Sequence, residues 1–278
     1  YAKSFNQPIG NWDVSNVTDM SFMFANTNAF NQPIGDWDVS NVTNMDSMFR
    51  YAKAFNQPIG KWDVSRVTDM KDMLMAENFN QPIGDWDVSN VTDMYSMFCK
   101  ARAFNQPIGN WNVSNVTNMS YMFSSASAFN QPIGNWDVSN ITRMNGMFWS
   151  TGSFNQPIGY WDVSNVIGMS FMFSETSSFN QDIGNWDLSN VTDMSFMFWT
   201  ATSFNQPIRN WNVSNCVTMK KMFCDAKAFN QPLDDWQLNS KTKTGNMFLR
   251  SPLKNKYQAN GKLLKTPKKV GVVKKVSD

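Results

Sequence analysis

The stretch FNQPIGNWDVSNVTDMSFMFANTNA, residues 5–29, decides how this chain folds, because near-copies of it fill most of the remaining sequence. The copies open at Phe5, Phe30, Phe55, Phe79, Phe104, Phe129, Phe154, Phe179, Phe204 and Phe229. The spacing is 25 residues except for one step of 24 between Phe55 and Phe79. Self-similarity at a fixed period of this size marks a solenoid. Each copy is one coil whose apolar side is covered only by its stacked neighbours, so equivalent residues form columns that can be compared within a single chain.

In the fifth copy the apolar positions are Phe104, Ile108, Trp111, Val113, Val116, Met119, Met122 and Phe123. They follow neither the alternation of a strand nor a sustained helical period. The pattern predicts a mixed coil: an extended segment through QPIGNW, a turn after the Trp, a short strand at the NVTDM position and one helical turn at SYMF. The Met-x-x-Met-Phe spacing supports that helical turn, since residues three and four apart share a helical face.

Some columns never change. Asn follows the opening Phe in every copy, at Asn6, Asn31, Asn56, Asn80, Asn105, Asn130, Asn155, Asn180, Asn205 and Asn230, and Gln follows each Asn. Identical amides about 4.8 Å apart, the strand spacing, are expected to form a structural ladder in which each donates to the next and also serves turn backbone. The Trp column from Trp12 to Trp236 and the Met column from Met23 to Met247 are equally unbroken. Both read as core, through aromatic stacking and the capacity of Met to fill irregular gaps. The residue after Trp is Asp in seven copies and Asn112, Asn212 or Gln237 in the others, which fits a turn acceptor better than a calcium ligand of the β-roll kind.

Composition narrows the chemistry. Histidine is absent, which removes the usual general base near neutral pH and the commonest metal ligand. Cys99, Cys216 and Cys224 have no ligand spacing. Cys99 and Cys224 share a column five coils apart, roughly 24 Å at the strand spacing, too far for a disulfide. Repetition also spreads each local constellation along the chain instead of concentrating it. The chain therefore reads as non-enzymatic, with no catalytic, cofactor-binding or metal-binding residue assigned and no cofactor expected. No run approaches the roughly 18 apolar residues of a membrane span.

The net charge of +2 hides an asymmetry. Residues 1–240 carry 13 basic and 21 acidic side chains, a net −8, whereas residues 241–278 carry 11 and 1, a net +10. The opening YAKSF matches the YAKAF that joins two copies at Tyr51–Phe55, so the chain is expected to begin in mid-coil, its natural form extending or having been processed N-terminally. The tenth copy decays at Gln237, Asn239 and Thr244, as a terminal repeat should. These features divide the chain into a solenoid of ten repeats over 1–253 and a basic C-terminal tail over 254–278. In that tail VGVVKKV, residues 270–276, is suited to adding an edge strand.

Columns that vary are where specific function is expected. Large aromatic side chains enter near the second Met at Phe22, Tyr95, Tyr121, Trp149, Phe171, Phe196 and Trp199. Folding does not require them in every copy. Exposed together they would have the composition of a protein-binding hot spot, and they are the candidate partner-binding residues.

The string SNVTDMSxMF, within a block covering residues 1–253, resembles the BspA-type leucine-rich-repeat surface proteins, in their 25-residue variety. The resemblance implies a right-handed, LRR-like solenoid of about ten coils, mainly β with short helical turns, exposed at a cell or particle surface and active in adhesion or host interaction. On this basis the expected function is a surface-exposed or extracellular adhesion protein that binds a protein or glycan partner through the solenoid face. The alternative is a structural component of a virion or surface appendage, with the Lys-rich tail docking to a neighbouring subunit. A third role for the tail is contact with nucleic acid or an anionic membrane.

Overall fold

The structure is a computed structural model that describes residues 2–257. The expected edge strand at 270–276 and nearly all of the basic tail lie outside the described residues. Nine single-residue parallel bridges run in one line, from Asp19 and Asn44 through Asp69, Asp93, Asn118, Arg143, Gly168, Asp193 and Thr218 to Lys243. Each joins one repeat to the next, so the chain is a repeat solenoid. Among the described residues these bridges are the whole of the strand-type pairing, and Lys254–Tyr257 is the one helix, α1. The mainly β character expected from sequence thus reduces here to one rung per repeat.

The helical turn expected at SYMF does not form. Tyr121 has a φ of 60° and Ser125 a φ of 60°, so the left-handed region interrupts the segment every fourth residue. Backbone amides then alternate in direction. Met119, Tyr121, Phe123 and Ser125 donate to Arg143, Asn145, Met147 and Trp149 of the next repeat at 2.7–3.0 Å. Met122, Ser124 and Ala126 between them close turns onto Met119, Tyr121 and Phe123. An α-helical turn would spend its amides within the repeat, leaving none for the neighbour. The left-handed conformation costs about 1–2 kcal/mol for a residue with a Cβ. An inter-repeat hydrogen bond, worth about 0.5–1.5 kcal/mol net, and the buried Met and Phe side chains offset it.

That backbone recurs. The position of Tyr121 has φ between 51° and 60° in every repeat, at Phe22, Ser47, Asp72, Ser96, Tyr121, Gly146, Phe171, Phe196, Lys221 and Asn246. Glycine occurs there once. A second left-handed column runs from Asn26 through Tyr51 and Lys100 to Arg250, and the third repeat lacks it, because Met75 is followed directly by Ala76.

The core is an aromatic stack. Opening Phe residues from Phe5 to Phe229 lie 5.8–6.1 Å apart between ring centroids. Each Phe of the Met-Phe pair packs on the following repeat's opening Phe, as Phe123 does on Phe129 at 3.9 Å. Trp rings are buried from Trp37 onward, and each donates its Nε1–H to the Ile carbonyl of the preceding repeat, Trp136 to Ile108 at 3.1 Å. Close stacking also explains one glycine column: a Cβ on Gly109 would sit 2.4 Å from the Pro132 carbonyl oxygen. Arg209 occupies the same column, and nothing in the structure explains how it is accommodated.

The Asn column forms a ladder that runs through the main chain as well as between side-chain amides. The Oδ1 of each Asn from Asn6 to Asn205 accepts from the backbone N–H of the next Asn at 2.9 Å. The Nε2 of the next Gln donates to the same oxygen, as Gln156 does to Asn130 at 3.1 Å. The side-chain oxygen therefore replaces a missing main-chain acceptor in a segment too irregular for a strand ladder.

At the C-terminal end, the first four residues assigned to the tail belong with the solenoid. α1 carries Tyr257 onto Phe248 at 5.4 Å, and the Leu233 amide donates to the Tyr257 hydroxyl at 2.9 Å. Leu253 and Tyr257 are buried there and cover the last repeat.

Candidate partner-binding site

Six of the seven candidate aromatic residues come together. Tyr95 meets Tyr121 edge-on at 5.8 Å, Tyr121 meets Trp149 at 6.4 Å, and Trp149 meets Phe171 at 5.6 Å. Phe171 stacks on Phe196 at 4.5 Å, and Phe196 meets Trp199 edge-on at 6.0 Å. The result is a continuous strip across the fourth to eighth repeats, half-buried except for the exposed Tyr95. Phe22, in the first repeat, lies apart from it and is 54% exposed.

Three features hold the strip. Gly146 supplies the space: a Cβ there would lie 2.4 Å from the Tyr121 ring, so a larger residue would push Tyr121 away from Trp149. Sequence reasoning passed over this glycine, although it is the one glycine in a column otherwise filled by side chains. Glu175 accepts from Ser150 Oγ at 2.7 Å and lies at the limit of hydrogen bonding, 3.5 Å, from Trp149 Nε1. Lys221 places its ammonium 5.5 Å from the Phe196 ring centre, a cation–π contact at the C-terminal end of the strip. Burial raises the Tyr121 hydroxyl above its usual pKa, with the neighbouring Tyr95 and Asp193 adding to the shift.

The Asp that follows Trp works locally. Asp137 Oδ1 accepts from the Ser139 amide at 3.1 Å and from its hydroxyl at 2.6 Å, and these bonds hold the carboxyl below the usual carboxylate range. Asn112 makes the same turn with Ser114. Among the described residues no group of three or more Cys, Asp or Glu is placed to hold a metal ion. Cys216 is buried, and burial pushes its thiol up to about 11, which leaves it protonated and unreactive at neutral pH. What the arrangement offers chemically is contact: aromatic area backed by fixed backbone.

The family model described as "Mycoplasma protein of unknown function, DUF285" matches residues 1–83, 75–175 and 156–260. The chain belongs to the DUF285 family. Three overlapping matches over a continuous array reflect the same repetition that the bridges display, so the DUF285 unit is a run of several repeats. No curated protein matches the chain. Among solved structures, one match is the crystal structure of a TLR13–ssRNA13 complex, at 9% identity and a TM-score of 0.27, too low for a common fold to be read from it. The match covers 82% of this chain and 38% of that one, so this chain spans well under half of that chain's length. Within this DUF285 array, the Asn, Gln, Trp and Met columns belong to stacking, and the aromatic strip belongs to a few repeats only.

Proposed function

We propose that this protein is a non-enzymatic interaction protein, exposed at a cell or particle surface, that binds a protein or glycan partner through the aromatic strip. The observation that carries the reading is the contiguity of the strip: six aromatic rings from neighbouring repeats meet in one line, on a left-handed backbone that every repeat shares. Rigid, half-exposed aromatic rings suit binding, since they bury much area with little loss of side-chain freedom. The finer architecture belongs to the same proposal: a right-handed, LRR-like solenoid of about ten coils, of the BspA type, whose handedness crystallographic phases would decide.

Glycine provides the test, because it relaxes the backbone while deleting the ring. The variant Phe171→Gly/Phe196→Gly is expected to keep its stability to within about 1 kcal/mol, strain relief offsetting lost contacts. Its binding to immobilised extracellular-matrix proteins and glycans is expected to fall by at least tenfold wherever the parent chain binds. Unchanged affinity of this variant for every such partner would remove the strip from consideration.

A further inference from the structure

The third repeat is one residue short, and the register identifies which residue is missing. Nine repeats carry a second left-handed residue, with φ between 56° and 62°, whereas here Met75 runs straight into Ala76. A notch of about 360 Å³ opens at that point, lined by Tyr51, Lys53, Met75, Glu77, Lys100 and Arg102. Lys100 reaches back across the gap, its ammonium 5.3 Å from the Tyr51 ring centre.

The shortening also leaves an acceptor without its donor. Amides of the second left-handed column donate to the next repeat along the chain: Asn26 to Arg50, Tyr51 to Met75, Lys100 to Ser124 and Ser125 to Trp149. The Cys99 carbonyl is next in that series after Met75 and accepts no protein hydrogen bond among the described residues. The charge is also unusual. Arg102 pairs with Glu77 at 3.6 Å, while Lys53 and Lys100 have no carboxylate partner among the described residues. The lining carries three cations against one anion, in a body whose residues 1–240 are net −8.

We propose that this notch binds an oxyanion ester, a sulfate or a phosphate. The Tyr51 ring, faced by the Lys100 ammonium at 5.3 Å and the Arg50 guanidinium at 5.2 Å, holds that lysine at the notch. Lys53 and Lys100 meet the ester oxygens through charge-assisted hydrogen bonds. The volume, near the lower end of the roughly 300–1,000 Å³ usual for small-ligand sites, fits a small ester. This site is separate from the aromatic strip and does not depend on it.

Calorimetric titration of the full chain with glucose 6-sulfate, glucose 6-phosphate, unmodified glucose and a hexaglutamate peptide tests the assignment. Either or both esters should bind at least tenfold more tightly than glucose and the peptide, and the preferred ester identifies the natural group. Lys53→Ala/Lys100→Ala should lose at least tenfold in ester affinity. Inserting one Asn between Met75 and Ala76 should do the same by restoring the full repeat and closing the notch. Circular dichroism checks that each variant is folded, and if the insertion misfolds, the alanine pair carries the test. Esters binding no better than glucose, a peptide binding more tightly than both, or a folded variant that keeps full affinity would each overturn the proposal.

Discussion

Replacing Asn130 with Ala removes one oxygen and two inter-repeat hydrogen bonds. Its Oδ1 accepts from the Asn155 amide at 2.9 Å and from Gln156 Nε2 at 3.1 Å. Each bond contributes about 0.5–1.5 kcal/mol net, and the stranded amide adds a desolvation penalty where water does not reach it. Both sites are half-buried, so the expected loss is about 2–3 kcal/mol. Asn230 supplies an internal control. Its backbone amide donates to Asn205 at 2.9 Å, which Ala would preserve, and its own Oδ1 accepts nothing among the described residues. Asn230→Ala is therefore expected to fall within about 0.5 kcal/mol of the parent. Urea unfolding followed by tryptophan fluorescence reads the difference as a lower midpoint at constant slope for Asn130→Ala. A changed slope for that variant would mean that the array has split into two cooperative blocks. Equal losses at the two positions would refute the reasoning, since they would assign the effect to the amide nitrogen or to side-chain size and not to the accepting oxygen.

Gly109→Ala would place a Cβ 2.4 Å from the Pro132 oxygen and is expected to cost about 1–3 kcal/mol, whereas Gly245→Ala, with nothing within 4 Å, should leave the melting temperature nearly unchanged. Tyr257→Phe strands the buried Leu233 amide at the C-terminal end, and its urea midpoint should drop by the equivalent of about 1–3 kcal/mol. Asp13, Asp38, Asp87, Asp137 and Asp162 are held below the usual carboxylate range chiefly by their Ser hydrogen bonds. Because their folded-state pKa is depressed, they add stability above the unfolded value of about 3.9, and that stability is lost as pH falls from there through the folded pKa. Replacing all five with Asn, which already makes the same turn at Asn112, should shrink the difference in urea midpoint between pH 7 and pH 3. Thiol labelling at pH 8 should modify Cys99 before Cys216: burial raises both thiols, but Cys99 is partly exposed whereas Cys216 is buried and stays protected until the chain unfolds.

Stacking was legible in the sequence because it rests on columns that cannot vary. Asn, Gln and Trp recur in every repeat, and each makes the same inter-repeat hydrogen bond along the array. The backbone that displays the aromatic strip was not legible. Met119, Met122 and Phe123 have helical spacing, and left-handed positions are ordinarily flagged by Gly or Asn, which this column holds only at Gly146 and Asn246. Burial of both Met and Phe side chains is achieved here by consecutive turns with alternating amides, which imitate the helical periodicity without its hydrogen bonds. The 24-residue step between Phe55 and Phe79 was visible at once. Its meaning depended on knowing which residue had been lost and which carbonyl that loss left unserved.

That short repeat has a consequence for how the chain finds its own order. Along most of the array one repeat stacks on any other nearly as well as on its true neighbour, so a chain that looped out a whole 25-residue unit would rebuild almost every contact. At Met75 and Ala76 the second left-handed residue and its inter-repeat hydrogen bond are both missing. The third repeat is thus an index mark on a ruler of near-equal divisions, the place where slipping by one repeat would set a 24-residue step against a 25-residue one.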